Sequence, residues 1–127
     1  MALINYPVGD FLIRVKNAKM AGRRTVEVKT TKFIHEVAKA LKKHGFLSEV
    51  NEKDGMLTVE LAYHKKAPVI LDLELVSRPG LRRYASVDEI EKMRGPETGF
   101  FSTSKGILTQ KEAIKERVGG EFLVKIL

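Results

Sequence analysis

The sequence predicts an α/β (α+β) fold of two small lobes, an N-terminal lobe ordered αβαβββ and a C-terminal lobe that is mostly β with short helices. Two stretches of the first half repeat apolar residues at helical spacing, and several others have the apolar runs or alternation of strands. The Pro-Gly pair at 79–80 then interrupts the pattern with a turn. We therefore expect lobes at residues 1–75 and 76–127.

The first lobe opens with an amphipathic helix that starts near Pro7, a residue suited to a first helical turn. A second helix begins at Thr30-Thr31-Lys32, where a threonine is a reasonable N-cap, and stops at Gly45. Together they are expected to cover one face of a small open sheet. The expected elements are helices at 8–21 and 30–45 and strands at 25–29, 46–50, 56–63 and 69–75.

The second lobe carries two capping boxes, which predict short helices. Ser86 is followed by Glu89, and Thr109 is followed by Glu112. The first helix is expected to run through Met93 and the second to end at Gly119-Gly120, before an apolar strand at 121–127. Between the helices, the apolar pairs Phe100-Phe101 and Ile107-Leu108 flank a polar turn and predict a β-hairpin.

The polar turn of this hairpin has unusual chemistry. It reads Ser102-Thr103-Ser104-Lys105-Gly106. Small hydroxyls donate and accept hydrogen bonds without bulk, glycine lets backbone approach a ligand, and lysine supplies a point charge for phosphate. The combination suits a nucleic-acid backbone, although an ordinary solvated turn would use the same residue types.

Composition excludes several classes of protein. The 127 residues contain no cysteine, so neither a disulfide framework nor a thiolate metal site is available. The three histidines have no matching ligands nearby, so we assign no metal and no cofactor. The N-terminus carries Asp10, Arg14 and Lys16 within its apolar pattern, which is typical of neither a secretory signal nor a membrane span. A cytoplasmic protein without a membrane partner is expected.

The charge is positive and unevenly distributed. The net charge is +7, with a net excess of seven positive charges in residues 1–46, three negative charges in 47–75 and three positive charges in 76–127. A basic face kept only for solubility is the alternative, but it would not need this segregation. We interpret the pattern as a surface that binds a polyanion.

Further candidates lie outside the hairpin. Thr30, Thr31 and Lys32 stand at a helix N-terminus and could meet phosphate as well as cap the helix. On the first helix, Asp10 can pair with Arg14, while Arg14 and Asn17 can reach outward. A solvated helix face is the alternative. In the segment before the first capping box, Arg82 and Arg83 precede Tyr84. The tyrosine ring either stacks on a base or ribose or packs half-buried against the protein.

Catalysis is not expected. Ser102 and Lys105 match a Ser-x-x-Lys spacing, but that motif normally opens a helix, and its companion motifs Ser-Asp-Asn and Lys-Thr-Gly are missing from the sequence. A phosphate-loop nucleotide site fails because Ser104 precedes the lysine and Gly106 follows it. No carboxylate pair or histidine-containing triad stands out.

The chain resembles the bacterial-type family of small ribosomal subunit protein eight. The resemblance rests on Glu97-x-x-Phe100-Phe101 continuing through the hydroxyl turn to Leu108, on the Val76–Arg82 segment with its Ser-Arg-Pro-Gly element, and on Gly119-Gly120-Glu121. Pro7–Asn17 also contributes, so the resemblance spans nearly the whole chain. Phe100-Phe101 departs from the aliphatic pair usual in the family, and Tyr6, Ile13 and Lys16 depart from its usual first helix.

The resemblance implies a two-lobe protein that binds the central domain of 16S rRNA directly, early in assembly, beside neighbouring small-subunit ribosomal proteins. Some family members also bind their own mRNA. The C-terminal lobe would be the main RNA-binding lobe, with the first lobe adding contacts. The residues implied are Ser102, Thr103, Ser104, Lys105 and Gly106, with Tyr84 and Glu121 nearby, then Thr30, Thr31 and Lys32, and finally Arg14 and Asn17.

The primary hypothesis is therefore a non-catalytic structural RNA-binding protein of the small ribosomal subunit. The alternative is a general nucleic-acid-binding or architectural protein without a preferred site. Equal affinity for the rRNA helix and for unrelated duplex DNA would favour this alternative.

Overall fold

The structure is a computed structural model that describes residues 6–127. Residues 1–5 lie outside the described residues. They belong to the expected N-terminal lobe and to the segment expected to lack a signal sequence. The described residues fold as two compact units, which divide between Leu71 and Asp72. Within residues 6–127, none of the helices is both long and apolar enough to span a membrane.

The first unit contains the two predicted helices. Helix α1 spans Pro7–Met20, with proline in its first turn, and α2 spans Lys32–Lys43, with Thr31 as N-cap. The Thr31 hydroxyl accepts a hydrogen bond from the Ile34 N–H at 3.2 Å, which confirms the predicted capping role. Each helix buries its own apolar stripe. The stripe of α1 contains Val8, Phe11, Leu12, Val15 and Ala18.

The first unit also contains a three-stranded antiparallel sheet. Strands β1 (Thr25–Lys29), β2 (Leu47–Lys53) and β3 (Met56–Leu61) lie in the order β1-β3-β2. Asp54 and Gly55 join β2 to β3 and both have positive φ, 51° and 79°, as an Asp-Gly hairpin turn requires. Both helices contact this sheet, α1 at β1 and α2 at β2.

The predicted strand at 69–75 was wrong over its first half. A short hairpin of β4 (Tyr63–His64) and β5 (Ala67–Pro68) comes instead, and only β6 (Leu73–Leu75) is a strand. The expected alternation fails because Ile70 is buried while Leu71 is 61% exposed. Since β6 pairs with the last strand of the chain, these three residues lie in the second unit, although the predicted lobe boundary fell after residue 75.

The second unit is built on a five-stranded antiparallel sheet. Its central strand is β10 (Gly120–Ile126), which pairs with β6, with β7 (Tyr84–Ala85) and with β8 (Thr98–Thr103). Strand β8 pairs in turn with β9 (Gly106–Thr109). The last strand of the chain therefore organises the whole sheet.

Both predicted capping boxes are confirmed. Helix α3 (Val87–Glu91) follows Ser86, and α4 (Gln110–Glu116) follows Thr109, each with the reciprocal hydrogen bonds of the motif. Hydrogen bonds from Ser86 lower the pKa of Glu89, so this cap adds stability at neutral pH that is lost as the pH falls through the lowered pKa. Helix α4 ends earlier than predicted, because Arg117 takes the left-handed conformation after its last turn.

Aromatic packing forms the core beneath the hairpin. Phe100 and Phe101 are fully buried, and the Phe101 ring lies against the Phe122 ring with centroids 4.4 Å apart. Ile90 of α3 and Ala113 of α4 complete the cluster around Phe101. The two helices therefore pack on the same strands that support the polar turn.

Candidate nucleic-acid interface

The hairpin presents the predicted polar turn to solvent. Thr103 pairs with Gly106 across the hairpin, so only Ser104 and Lys105 form the loop. Ser104, Lys105 and Gly106 are exposed, while Ser102 and Thr103 are half-buried. Gly106 has φ of 111°, in a region that favours glycine. The tip is thus narrow and faces solvent, whereas Phe100 and Phe101, which precede it on β8, are buried in the core.

Hydrogen bonds within the turn fix its shape. The Thr103 Oγ1 donates to the Gly106 carbonyl at 2.8 Å and accepts from the Lys105 N–H at 3.1 Å. The Thr103 hydroxyl is therefore used internally, whereas the Ser104 side chain stands at the exposed apex. Such preorganisation lowers the entropy lost when a loop meets a ligand.

Lys105 is restrained by a carboxylate. Its Nζ lies 3.4 Å from Glu116 Oε1 of α4, and the two side chains are 54% and 42% exposed. An exposed pair of this kind contributes only about 0–1 kcal/mol to stability. The lysine can therefore exchange this partner for a phosphate at low cost.

A chain of hydrogen bonds through the buried Ser77, here called the Ser77 relay, connects Glu121 to the segment that carries Arg82 and Arg83. The Arg83 N–H donates to Ser77 Oγ at 2.8 Å, and Ser77 Oγ donates to Glu121 Oε2 at 2.7 Å. The same carboxylate oxygen accepts from Arg82 Nη1 at 3.1 Å. Ser77 is fully buried and the Glu121 side chain is 15% exposed. Glu121 therefore has a clear positioning role within the protein, and its implied RNA contact stays a prediction.

The same strand register places the hairpin and the aromatic candidate on two strands that flank β10. Glu121 lies opposite Ser102 of β8 on one side and opposite Tyr84 of β7 on the other. Tyr84 is 71% exposed, which excludes half-buried packing as its role. It borders a groove shared with Arg78 and Arg83. A flat ring beside two exposed guanidinium groups suits a stacked base or ribose.

In the first unit, the predicted residues border one continuous surface. Asn17 and Arg14 line one depression, Arg14 lines the next together with Thr30 and Thr31, and those threonines line a third with Lys32. The predicted pair is present, since Arg14 Nε lies 3.1 Å from Asp10 Oδ2. All of these predicted residues of the first unit thus lie side by side, with Arg14, Asn17, Thr31 and Lys32 exposed.

Sequence reasoning missed two features of the second unit. The Ser77 relay joins residues far apart in the chain, and a lone serine before an arginine carries no local signal for it. The second feature is the glycine pair: a Cβ on Gly119 would meet the Ala85 carbonyl oxygen, and one on Gly120 would meet that of Ser102. Adjacent glycines entering an apolar strand were the available signal for this close approach.

Among residues 6–127, no group of three His, Cys, Asp or Glu side chains is arranged to hold a metal ion. What the second unit does bring together is an exposed hydroxyl tip, an exposed aromatic and several exposed guanidinium groups.

A family model described as Ribosomal protein S8 matches residues 6–127. The chain belongs to the ribosomal protein S8 family. Two relatives, from Teredinibacter turnerae and Ectopseudomonas mendocina, are named small ribosomal subunit protein uS8 and are 39% and 41% identical to it. Each match covers 94% of this chain and 95% of the relative. A protein of the same name from Enterococcus faecalis is 38% identical, over 94% of this chain and 96% of its own.

Membership in the ribosomal protein S8 family identifies the chain as a structural, non-enzymatic protein. This confirms the prediction that the Ser-x-x-Lys spacing of Ser102 and Lys105 is not a catalytic motif. The family assignment also agrees with the mixed α and β architecture of the two units.

Proposed function

We propose that this chain is a structural constituent of the small ribosomal subunit that binds the central domain of 16S rRNA and acts in subunit assembly. Its place is the cytoplasmic ribosome, as for the family. The observation that carries the RNA-binding proposal is the exposed Ser104-Lys105 tip, held on a hairpin whose first strand buries Phe100 and Phe101, in a chain of this family.

The proposed contacts divide into two kinds. Lys105 and the exposed arginines near Tyr84 would meet phosphates, which supplies affinity and depends on salt. Ser104 and the backbone at Gly106 would read 2′-hydroxyl groups, exposed base edges and the shape of an irregular helix. Thr30, Thr31, Lys32, Arg14 and Asn17 would add contacts from the first unit, where they border one surface.

Two further partners belong to the proposal. Neighbouring small-subunit ribosomal proteins would contact the chain within the assembled particle, and the chain's own mRNA would compete for the same surface as rRNA. An mRNA that offers the same irregular helix would be recognised by the same hydroxyl tip.

Competition binding tests the proposal against a general nucleic-acid binder. We expect the chain to bind a central-domain 16S rRNA fragment far more tightly than unrelated duplex DNA of equal length at one salt concentration. Specific binding typically exceeds non-specific binding by about 10³-fold or more. Equal affinity for the two would show a binder without a preferred site.

Glu116→Gln is expected to strengthen RNA binding without changing the fold. The substitution removes the carboxylate that restrains Lys105 and one negative charge beside the tip. Because the pair is exposed, the free energy of unfolding should change by less than about 1 kcal/mol. Filter binding and urea unfolding of both proteins measure the two quantities. Glu49→Gln, which removes an exposed carboxylate 3.9 Å from Lys42, is the matched control in the first unit. Unchanged or weaker binding of the Glu116 variant would show that Lys105 does not reach RNA.

A further inference from the structure

The short hairpin of the first unit has a turn that its residues do not favour. Lys65 and Lys66 form its two-residue loop, since His64 pairs with Ala67. Both lysines have positive φ, 50° and 70°. The same conformations occur at Asp54-Gly55 in the β2–β3 hairpin, where the residue types match the turn. Asn-Gly or Asp-Gly would suit the backbone better at 65–66, so backbone preference does not account for the lysines.

The two ammonium groups are free of acidic partners. Both lysines are exposed, and neither forms an ion pair among the described residues. The stretch from Leu61 to Leu71 contains no aspartate or glutamate, although residues 47–75 as a whole carry a net negative charge. The hairpin tip is therefore a local cationic point within the acidic part of the sequence.

A third cation stands at the base of this hairpin. The Arg24 guanidinium lies over the Tyr63 ring, with its carbon 4.1 Å from the ring centroid. The Arg24 carbonyl also accepts a hydrogen bond from the Leu61 N–H at 2.7 Å, two residues before β4 begins. This cation–π contact holds the guanidinium in place through a ring face and not through a carboxylate.

We propose that Lys65, Lys66 and Arg24 form a second RNA-backbone site, separate from the hydroxyl tip and from the surface around Thr31. The proposal rests on the proposed function, because it adds a contact to the same RNA. A phosphate backbone requires only fixed cations, whereas docking of an acidic protein segment normally adds apolar anchors. None of the exposed large hydrophobic residues among 6–127 lies in this hairpin. The chemistry therefore favours a nucleic acid over an acidic peptide.

The double variant Lys65→Asn/Lys66→Gly tests this site with opposite effects on folding and binding. Asn-Gly fits the turn, so the melting temperature should stay equal or rise. Affinity for the central-domain 16S rRNA fragment should fall about tenfold at moderate salt. The slope of log K against log salt should flatten by about 1.4–1.8, because each of the two phosphates that are no longer bound contributes about 0.7–0.9. A loss of affinity in a protein that is no less stable cannot arise from misfolding.

The matched control is Lys53→Gln/Lys111→Gln, which removes two exposed lysines outside all the proposed surfaces. We expect it to change affinity and slope much less than the hairpin variant. Equal losses from both variants, or wild-type affinity of the hairpin variant, would overturn the second site. Unchanged RNA affinity with impaired incorporation into small subunits would point to an acidic protein partner and also overturn it. If the wild-type chain itself shows no preference for the rRNA fragment, the proposed function fails instead.

Discussion

Gly120→Ala is expected to lower the free energy of unfolding by about 3 kcal/mol and to weaken rRNA binding about tenfold or more. An added Cβ would meet the Ser102 carbonyl oxygen and lie 2.8 Å from the Ser102 carbonyl carbon. Because these are backbone atoms, β10 and β8 would have to separate, and β8 leads directly into the hydroxyl tip. Urea unfolding and filter binding measure the two effects.

Lys125→Ala on the same strand is the control for Gly120→Ala. It removes an exposed ion pair with Glu74, with 3.5 Å between Nζ and Oε2, and should cost less than about 1 kcal/mol. Because Lys125 also lines the groove that Tyr84 borders, this variant is the control for stability only. Wild-type stability of the Gly120 variant would show that the strands do not approach as closely as the structure places them.

Ser77→Ala is expected to lower the free energy of unfolding by about 1–3 kcal/mol, because it leaves the Arg83 N–H without its acceptor and removes a donor from Glu121. RNA affinity should fall as well, since the relay positions the segment that carries Arg82, Arg83 and Tyr84. The substitution changes no charge, so the slope of log K against log salt should stay the same.

Arg83→Gln is the matched comparison for Ser77→Ala, because it removes a charge and keeps the backbone N–H of the relay. It should flatten the salt slope by about 1 with little loss of stability. A flattened slope in Ser77→Ala would instead mean that loss of these hydrogen bonds moves one of the arginines away from its phosphate.

Local signals predicted much of the fold. Ser86 with Glu89 and Thr109 with Glu112 gave both short helices of the second unit, because a capping box is complete within four residues. A threonine cap at Thr30-Thr31 was likewise predicted from its position before an apolar stripe, and Thr31 is the residue that caps the helix. Alternation at 69–75 was a weaker signal, and it failed where Leu71 turns to solvent.

Long-range contacts could not be predicted from the sequence. The pairing of β10 with three other strands and the Ser77–Glu121 bond both depend on tertiary structure. The site residues of the second unit were found through the hydroxyl turn and the family resemblance, and their contacts with RNA stay predictions. The strained Lys65-Lys66 turn emerged only from backbone angles, because Lys-Lys is not a turn signature.

The most direct test of the central claim compares Ser104→Ala and Lys105→Ala with the unmodified chain. Each protein is titrated with the central-domain 16S rRNA fragment and with an unrelated structured RNA of equal length, over a series of salt concentrations. We expect Lys105→Ala to weaken binding to both RNAs and to flatten the salt slope by about 1, and Ser104→Ala mainly to reduce the preference for the rRNA fragment. If both folded variants keep the affinity and the preference of the unmodified chain, the hairpin tip does not recognise RNA and the account is contradicted.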